Sequence, residues 1–440
     1  MESKLKRIGE RARREPREKF TSIYHRVYDL ENLRASFEAM KAGKSPGVDG
    51  VTKAEYGEDL EAKLEDLSGR LARMGYRPRP VRRHYIPKPG SDRKRPLGIP
   101  CLEDKLVQEA LRRVLEPIYE ADFLDCSFGY RPGRSQHSAL DQLGRAIQRR
   151  RLNYVAEADI ESFFDRVHHD WMVKFLEVRI GDQRVLRLIR RILKSGVMED
   201  GLMRASEEGT PQGGVLSALL SNVYLHYVLD LWVQKRVRRQ CRGEVYYVRY
   251  ADDFVACFQL QAEAEEFLRQ LEQRLAQFHL KLAASKTRLL AFGRFAERNA
   301  KREGRRVQTF DFLGFTYYCG RSRKGHFKVK RRTSAQKRRA KVREIKGWLQ
   351  KQRSCVKTGQ ILRGMRAKLE GHLEYYAITD NTPSCDLFRT QVAELLFKWL
   401  NRRSQRRSYT WQRFNDALRW VGWPSVRVRH NLCPFRVGPE

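Results

Sequence analysis

The chain has 440 residues, 41% of them hydrophobic, enough for two or three domains with real cores, which excludes a wholly disordered polypeptide. Lys and Arg total 89 against 53 Asp and Glu, and the resulting charge of +36 repels itself unless a polyanion lies beside it, so nucleic acid is the expected partner. The 8 cysteines contain no C-x-x-C pair, no apolar h-region opens the chain, and no apolar run of about 18–20 residues stands out, so a reduced, cytoplasmic protein without a membrane partner is expected.

Residues 1–20 read as a charged, Pro-interrupted arm, helical in part and otherwise mobile. From about 30 to 74 the pattern is helix, loop, helix, with KAGKSPGVDGVT (41–52) as the loop because Pro46, Gly47 and Gly50 punctuate it. VRRHYIPKPGSDRKRPLGIP (81–100) predicts two short strands around the turn PKPGSD. An amphipathic helix is expected over 103–120, a strand ending at Asp159, a helix over about 169–195 and a long buried helix over 214–237. EVYYVRYADDFVACF (244–258) predicts a hairpin with an acidic tip, followed by a helix near 261–279 and strands near 287–293 and 309–318. Beyond about 330 the strand signal stops, and helical stretches near 333–352, 358–378 and 386–404 carry Lys and Arg around apolar stripes. The fold class is therefore α+β, with a basic helical region after about 320.

The chemistry centres on Asp252 and Asp253 in YADD. Neighbouring side chains of a straight strand point to opposite faces, so both carboxylates can approach one site only at a hairpin turn. Asp159, ending a separate strand, is suited to supply a third. Three carboxylates around two Mg²⁺ ions can activate a 3′-hydroxyl and stabilise a pyrophosphate leaving group. Asp also favours turns for purely structural reasons, so the dipeptide alone decides little.

Its company decides more. ADIESFFDRVHHDWM (158–172), GTPQGGVLSALLSNVYL (209–225), YADD (250–253), KLAASKTRLL (281–290) and FDFLGFTYY (310–318) follow one another in order, after RPLGIPCLEDKLVQEALRRVLEPIYEADFLDCSFGYRPGRSQHSAL (95–140). From about 32 to 432 the chain resembles the group II intron reverse transcriptases, also called intron-encoded maturases, of the bacterial type without an H-N-H endonuclease domain. The resemblance implies a right-hand polymerase: a basic N-terminal arm (1–30), fingers with an N-terminal insertion loop (31–150), a palm with the acidic hairpin (151–320), and an α-helical thumb, domain X, with a short basic tail (321–440). It also implies an RNA-directed DNA polymerase that takes an RNA template, a DNA or RNA primer and dNTPs, and a maturase that binds its intron RNA to aid splicing and mobility. No intrinsic second-strand nicking is expected, so DNA 3′ ends would come from another source. Two alternatives stay open: a reverse transcriptase domesticated for defence, DNA repair or diversity generation, and an RNA-binding splicing cofactor whose site is vestigial.

The remaining site candidates follow. Lys88 and Arg95 flank the turn PKPGSD and can both reach a triphosphate, one as a point charge and one as a fork. By the resemblance Phe164 is the aromatic wall that rejects a ribose 2′-hydroxyl, with Phe163 as the competing candidate. Gln212 and Gly213 fit a close backbone approach to a nucleotide, and Lys286 either serves the triphosphate and leaving group or is a plain surface lysine. Lys44, Gly47 and Gly50 lie in the loop that resembles the template-covering insertion, for which a simple turn is the other reading. Arg338 and Arg339 lie in KRRAKVREIKGWLQK, a basic face suited to duplex phosphates. His168 and His169, and the aromatics Trp348, Tyr375, Tyr376 and Trp399, are expected to be structural.

Overall fold

The computed structural model describes residues 2–87, 94–199, 202–204, 208–210, 214–403 and 408–435. In chain order, α1 (Glu2–Arg14), α2 (Leu30–Ala39), α3 (Lys53–Gly57) and α4 (Leu60–Ala72) precede the antiparallel pair β1 (Val81–Pro87) and β2 (Lys94–Ile99). Next come α5 (Leu102–Asp122), α6 (Gln136–Arg149), β3 (Tyr154–Ala158), α7 (His169–Glu177), α8 (Gln183–Leu193), β4 (Val197–Glu199) and β5 (Leu202–Arg204). α9 (Val215–Leu225) runs on through two π-helical segments, His226–Asp230 and Val233–Val237, into α10 (Arg238–Gln240). The chain continues with β6 (Val245–Tyr250), β7 (Asp253–Phe258), α11 (Gln261–Ala276), β8 (Arg288–Ala291), α12 (Ala296–Arg302), β9 (Phe310–Phe312), β10 (Phe315–Arg321) and β11 (Phe327–Thr333). Helices close the chain: α13 (Ala335–Gln352), α14 (Thr358–Tyr376), α15 (Thr382–Leu400) and α16 (Trp411–Trp420).

One sheet, in the order β6-β7-β3-β8, is antiparallel throughout and positions the acidic residues. Alternation along its strands sends side chains to two different cores. Ala156, Phe254, Ala256 and Phe258 face the core built around α5 and the Val215–Gln240 helix. Val155, Val248, Val255 and Cys257 face a second core shared with α6 and the β11-β10-β9 sheet. A third core lies within the final helices. The Val215–Gln240 helix is long and apolar enough by composition to cross a bilayer, which the sequence reading did not register. Since 78% of its most apolar window is buried inside the protein, it is the central helix of the first core.

Three segments differ from expectation. The N-terminal arm is not loose: α1 packs on α5, with Gly9 against Pro117, and the buried Arg179 donates to the carbonyls of Ala12 (3.1 Å) and Glu15 (3.1 Å). The helix expected over 169–195 is broken, because the Asp182 carboxylate caps Arg184 N–H and also takes the N–H groups of Ile23 (2.9 Å) and Tyr24 (2.8 Å). The strand expected near 309–318 is not the last: β11 follows and pairs with β10 from Phe327 to Thr333. Its inward Arg331 is buried and donates to the carbonyls of Leu140 (2.8 Å) and Leu432, so a charge sits where an apolar residue is the usual occupant.

Candidate active site

The acidic turn forms because β6 and β7 pair in register down to Tyr250 opposite Asp253, which leaves Ala251 and Asp252 as a two-residue loop. Ala251 takes the left-handed conformation (φ 56°) that such tight hairpin turns demand. β3 runs antiparallel to β7 with Ala158 opposite Phe254, so the next residue, Asp159, comes alongside Asp253. The chain then continues in a second pairing: Ala283 N–H donates to Asp159 O (2.8 Å), and Glu161 N–H to Lys281 O (2.9 Å). Asp159 and the distant Asp252–Asp253 pair are therefore brought to one end of one sheet.

Their electrostatics reflect that crowding. Asp253 has solvent exposure, yet desolvation by the protein around it, with Asp252 and Asp159 nearby, lifts its carboxyl to about 6. Asp252 is also pushed up, chiefly by desolvation and further by Asp159, while Arg95 and Arg249 work against the rise. Such a set favours a divalent cation, which would relieve both burial and like-charge repulsion. As the side chains stand, however, no three His, Cys, Asp or Glu among the described residues are close enough together to ligate an ion. The Asp159 carboxylate is instead ion-paired with the Lys286 ammonium. The donor chemistry fits a metal centre, provided Asp159 exchanges that ammonium for an ion.

Around the acids, Arg95 lies exposed on β2, opposite Ile86. Lys88, Gln212 and Gly213 fall outside the described residues. Phe163 is fully packed in the first core, whereas its neighbour Phe164 is only half-buried, which separates the two candidates. The Phe164 carbonyl accepts from Thr210 N–H (2.8 Å), and His169 bonds the Gly209 carbonyl (2.7 Å), so Gly209 and Thr210, just before the Gln-Gly motif, are laced to the Phe163–Asp165 turn and the start of α7. Gly47 has a local reason: a Cβ there would lie 2.6 Å from Cys101 N, at the start of α5. Gly50 needs its positive φ (71°) and has open space around it, and Lys44 lines a cleft of about 800 Å³ with Phe37, Pro46 and Lys53. Arg338 and Arg339 lie on α13.

Residues 86–317, more than half of the chain, match the family described as "Reverse transcriptase (RNA-dependent DNA polymerase)". The chain belongs to the reverse transcriptase family. The mixture of helices and largely antiparallel sheets agrees with the right-hand polymerase fold of that family. Among curated proteins this reverse transcriptase relative is 37% identical over 282 residues to "Protein YkfC" of Escherichia coli (strain K12), covering 57% of this chain and 73% of that one. It is 36% identical over 231 residues to "Group II intron-encoded protein LtrA" of Lactococcus lactis subsp. cremoris, covering 52% of this chain and 38% of LtrA. It is also 30% identical over 178 residues to "Nuclear intron maturase 2, mitochondrial" of Arabidopsis thaliana, covering 31% of this chain and 24% of that protein. Within the reverse transcriptases the chain thus groups with the group II intron-encoded and maturase branch.

Sequence reading missed several residues around this candidate site. Tyr130, left-handed at φ 59° and 52% exposed, has a hydroxyl pushed above the usual phenol range, chiefly by desolvation and further by Asp252 and Asp253, while Arg95 opposes the rise. Lys337, in the first turn of α13, is one of the cations opposing the rise of Asp253. Tyr375 and Tyr376 do more than pack helices: the Tyr375 hydroxyl donates to the Leu313 carbonyl (2.7 Å), and a Cβ at Gly314 would lie 2.8 Å from the Tyr376 hydroxyl. A lone tyrosine in a Gly-rich loop, or a lysine in a basic helix, gives no local signal of such a role.

Proposed function

We propose that the protein is an RNA-directed DNA polymerase that extends a DNA or RNA primer on an RNA template with dNTPs, and that it also serves as a maturase binding a group II intron RNA. The observation that carries the polymerase reading is the β3–β7 register, which sets Asp159 beside the Ala251–Asp252 turn within the matched family segment. Asp159, Asp252 and Asp253 would hold two Mg²⁺ ions, and reverse transcriptases generally use divalent metals. Bound there, the ions supply Lewis-acid activation of the primer hydroxyl and neutralise charge on the departing pyrophosphate.

The chain's own groups do the rest. Arg95, and Lys88 across the same turn, orient the triphosphate; Gln212 and Gly213 line the nucleotide; and the half-buried ring of Phe164 excludes a 2′-hydroxyl. Lys286, once released from Asp159, carries a proton or positive charge toward the leaving group. Lys44, Gly47 and Gly50 attend the template, and Arg338 and Arg339 grip duplex phosphates. In this reading residues 31–150 are fingers, 151–320 palm and 321–440 thumb, with β11 making the palm–thumb seam a shared sheet, and the site of action is the cytoplasm.

The test is extension of a DNA primer on an RNA template with dNTPs and Mg²⁺, with Asp252→Ala as control. Extension by the natural chain and none by the variant supports the reading. Equal extension by both, or by neither, rejects it and leaves an RNA-binding splicing role. The maturase half is tested separately, by splicing of the intron RNA recovered from crosslinks to the protein.

A further inference from the structure

Three residues before Asp252, Arg249 is wholly buried, as is its counter-ion Asp230. Every N–H of its guanidinium is used. Nε and Nη2 donate to the two Asp230 oxygens (2.8 and 2.6 Å), Nη1 to Asn222 Oδ1 (2.9 Å) and to the Ala251 carbonyl (2.9 Å), and Nη2 also to Ser127 Oγ (2.8 Å). The bond to the Ala251 carbonyl fastens the left-handed residue from which Asp252 leaves the turn. Asp230 closes a π-helical segment, an uncommon geometry that often marks a functional site. The same helix supplies Asn222, whose amide donates to the Gly129 carbonyl (2.6 Å), and Ser127–Gly129 is in turn laced to β6 by Phe128 N–H to Arg249 O (2.9 Å).

Stability alone does not account for this node, since apolar residues of similar volume commonly replace a buried ion pair at no loss. What an apolar replacement cannot do is hold the turn carbonyl, the fingers-side segment 127–129 and the helix that follows the Gln-Gly motif in one fixed relation. We propose that Arg249, with Asp230 as its counter-ion, is a positioning residue for polymerisation: it sets the direction of Asp252 and couples the acidic turn to the helix that begins beside the nucleotide motif. This rests on the polymerase reading above.

Two variants test it in the full-length protein: the apolar pair Arg249→Met with Asp230→Leu, and the single Arg249→Lys, which keeps a charge and loses the fork. Melting temperature, template–primer Kd, and single-turnover kcat and KM for dNTP are measured for each beside the natural chain. The expected result is a kcat lower by ten- to a hundredfold in both, about what a misplacement of roughly 1 Å costs, with Kd and KM within threefold and melting within a few degrees. A folded variant of either kind that extends at the natural rate overturns the proposal. So does a loss of Kd in step with kcat, or failure of both variants to fold, each of which makes the node structural only. If the natural chain itself does not extend, the polymerase reading falls instead.

Discussion

Gly129→Ala is the sharpest single probe of the site. A Cβ at Gly129 would lie 2.9 Å from Ala251 Cα and 3.0 Å from Tyr250 C, and closer still to Ala251 N. Ordinary carbon contacts lie near 3.5 Å, so the two backbones must part by about 1 Å. No flexible side chain can absorb this, because both sides are main chain and are tied by Phe128 N–H to Arg249 O (2.9 Å) and Arg249 N–H to Cys126 O (2.8 Å). Overpacking of this kind costs about 1–3 kcal/mol, which the protein should survive. Displacing the residues beside Asp252 by about 1 Å should reduce the rate by about 10²-fold. Single-turnover primer extension reads the rate, and filter binding of template–primer should change less than twofold. Gly133→Ala is the control: Gly133 is left-handed (φ 69°), which Gly129 is not, and has open space around it, so the change costs about 1 kcal/mol of stability and leaves the rate alone. A Gly129→Ala protein that extends within twofold of the natural rate would refute the reasoning.

Further outcomes are expected. Phe164→Val should raise incorporation of rNTPs relative to dNTPs at least tenfold in competition assays, and an unchanged ratio would remove Phe164 from the sugar wall. Burial holds the His226 imidazole at about 4 instead of 6.5, so the unfolded chain takes up the proton first and stability falls as pH drops from about 6.5 to about 4, then levels off. His226 alone should cost about 2 kcal/mol of stability between pH 7 and pH 5 in urea unfolding, beside the loss from the likewise depressed His372, and His226→Gln should remove the His226 share of that slope. Arg338→Ala with Arg339→Ala should weaken template–primer binding on every sequence and lower the salt slope of log K by up to about 2; a slope equal to the natural one would place the duplex elsewhere.

The acidic hairpin was legible because Tyr, Val and Phe alternate on both sides of its tip, and β6 and β7 fall within 244–258. The closing helices were legible from apolar stripes that survive among the lysines. β11 was not, because Lys328, Lys330 and Arg332 dominate its composition and its inward Arg331 owes its place to carbonyls of Leu140 and Leu432, far away in the chain. α6 went unassigned although its N-cap Ser135 accepts from Ser138 N–H (3.1 Å), a signal readable in advance. Tyr130, Asp230 and Arg249 gave no advance notice for a different reason. Each acts through partners in another segment, and no local period or spacing encodes a contact between 127, 222, 230 and 249.

The tyrosine pair at the end of α14 has a mechanical consequence. With one hydroxyl bonded to the Leu313 carbonyl and the other seated against Gly314, the closing helices cannot swing outward without dragging that loop along. Under the proposed polymerase reading, in which these helices hold a duplex, that hold and the 313–314 loop form one lever. Damage deep in the helical bundle should then shift the loop before it loosens the hold.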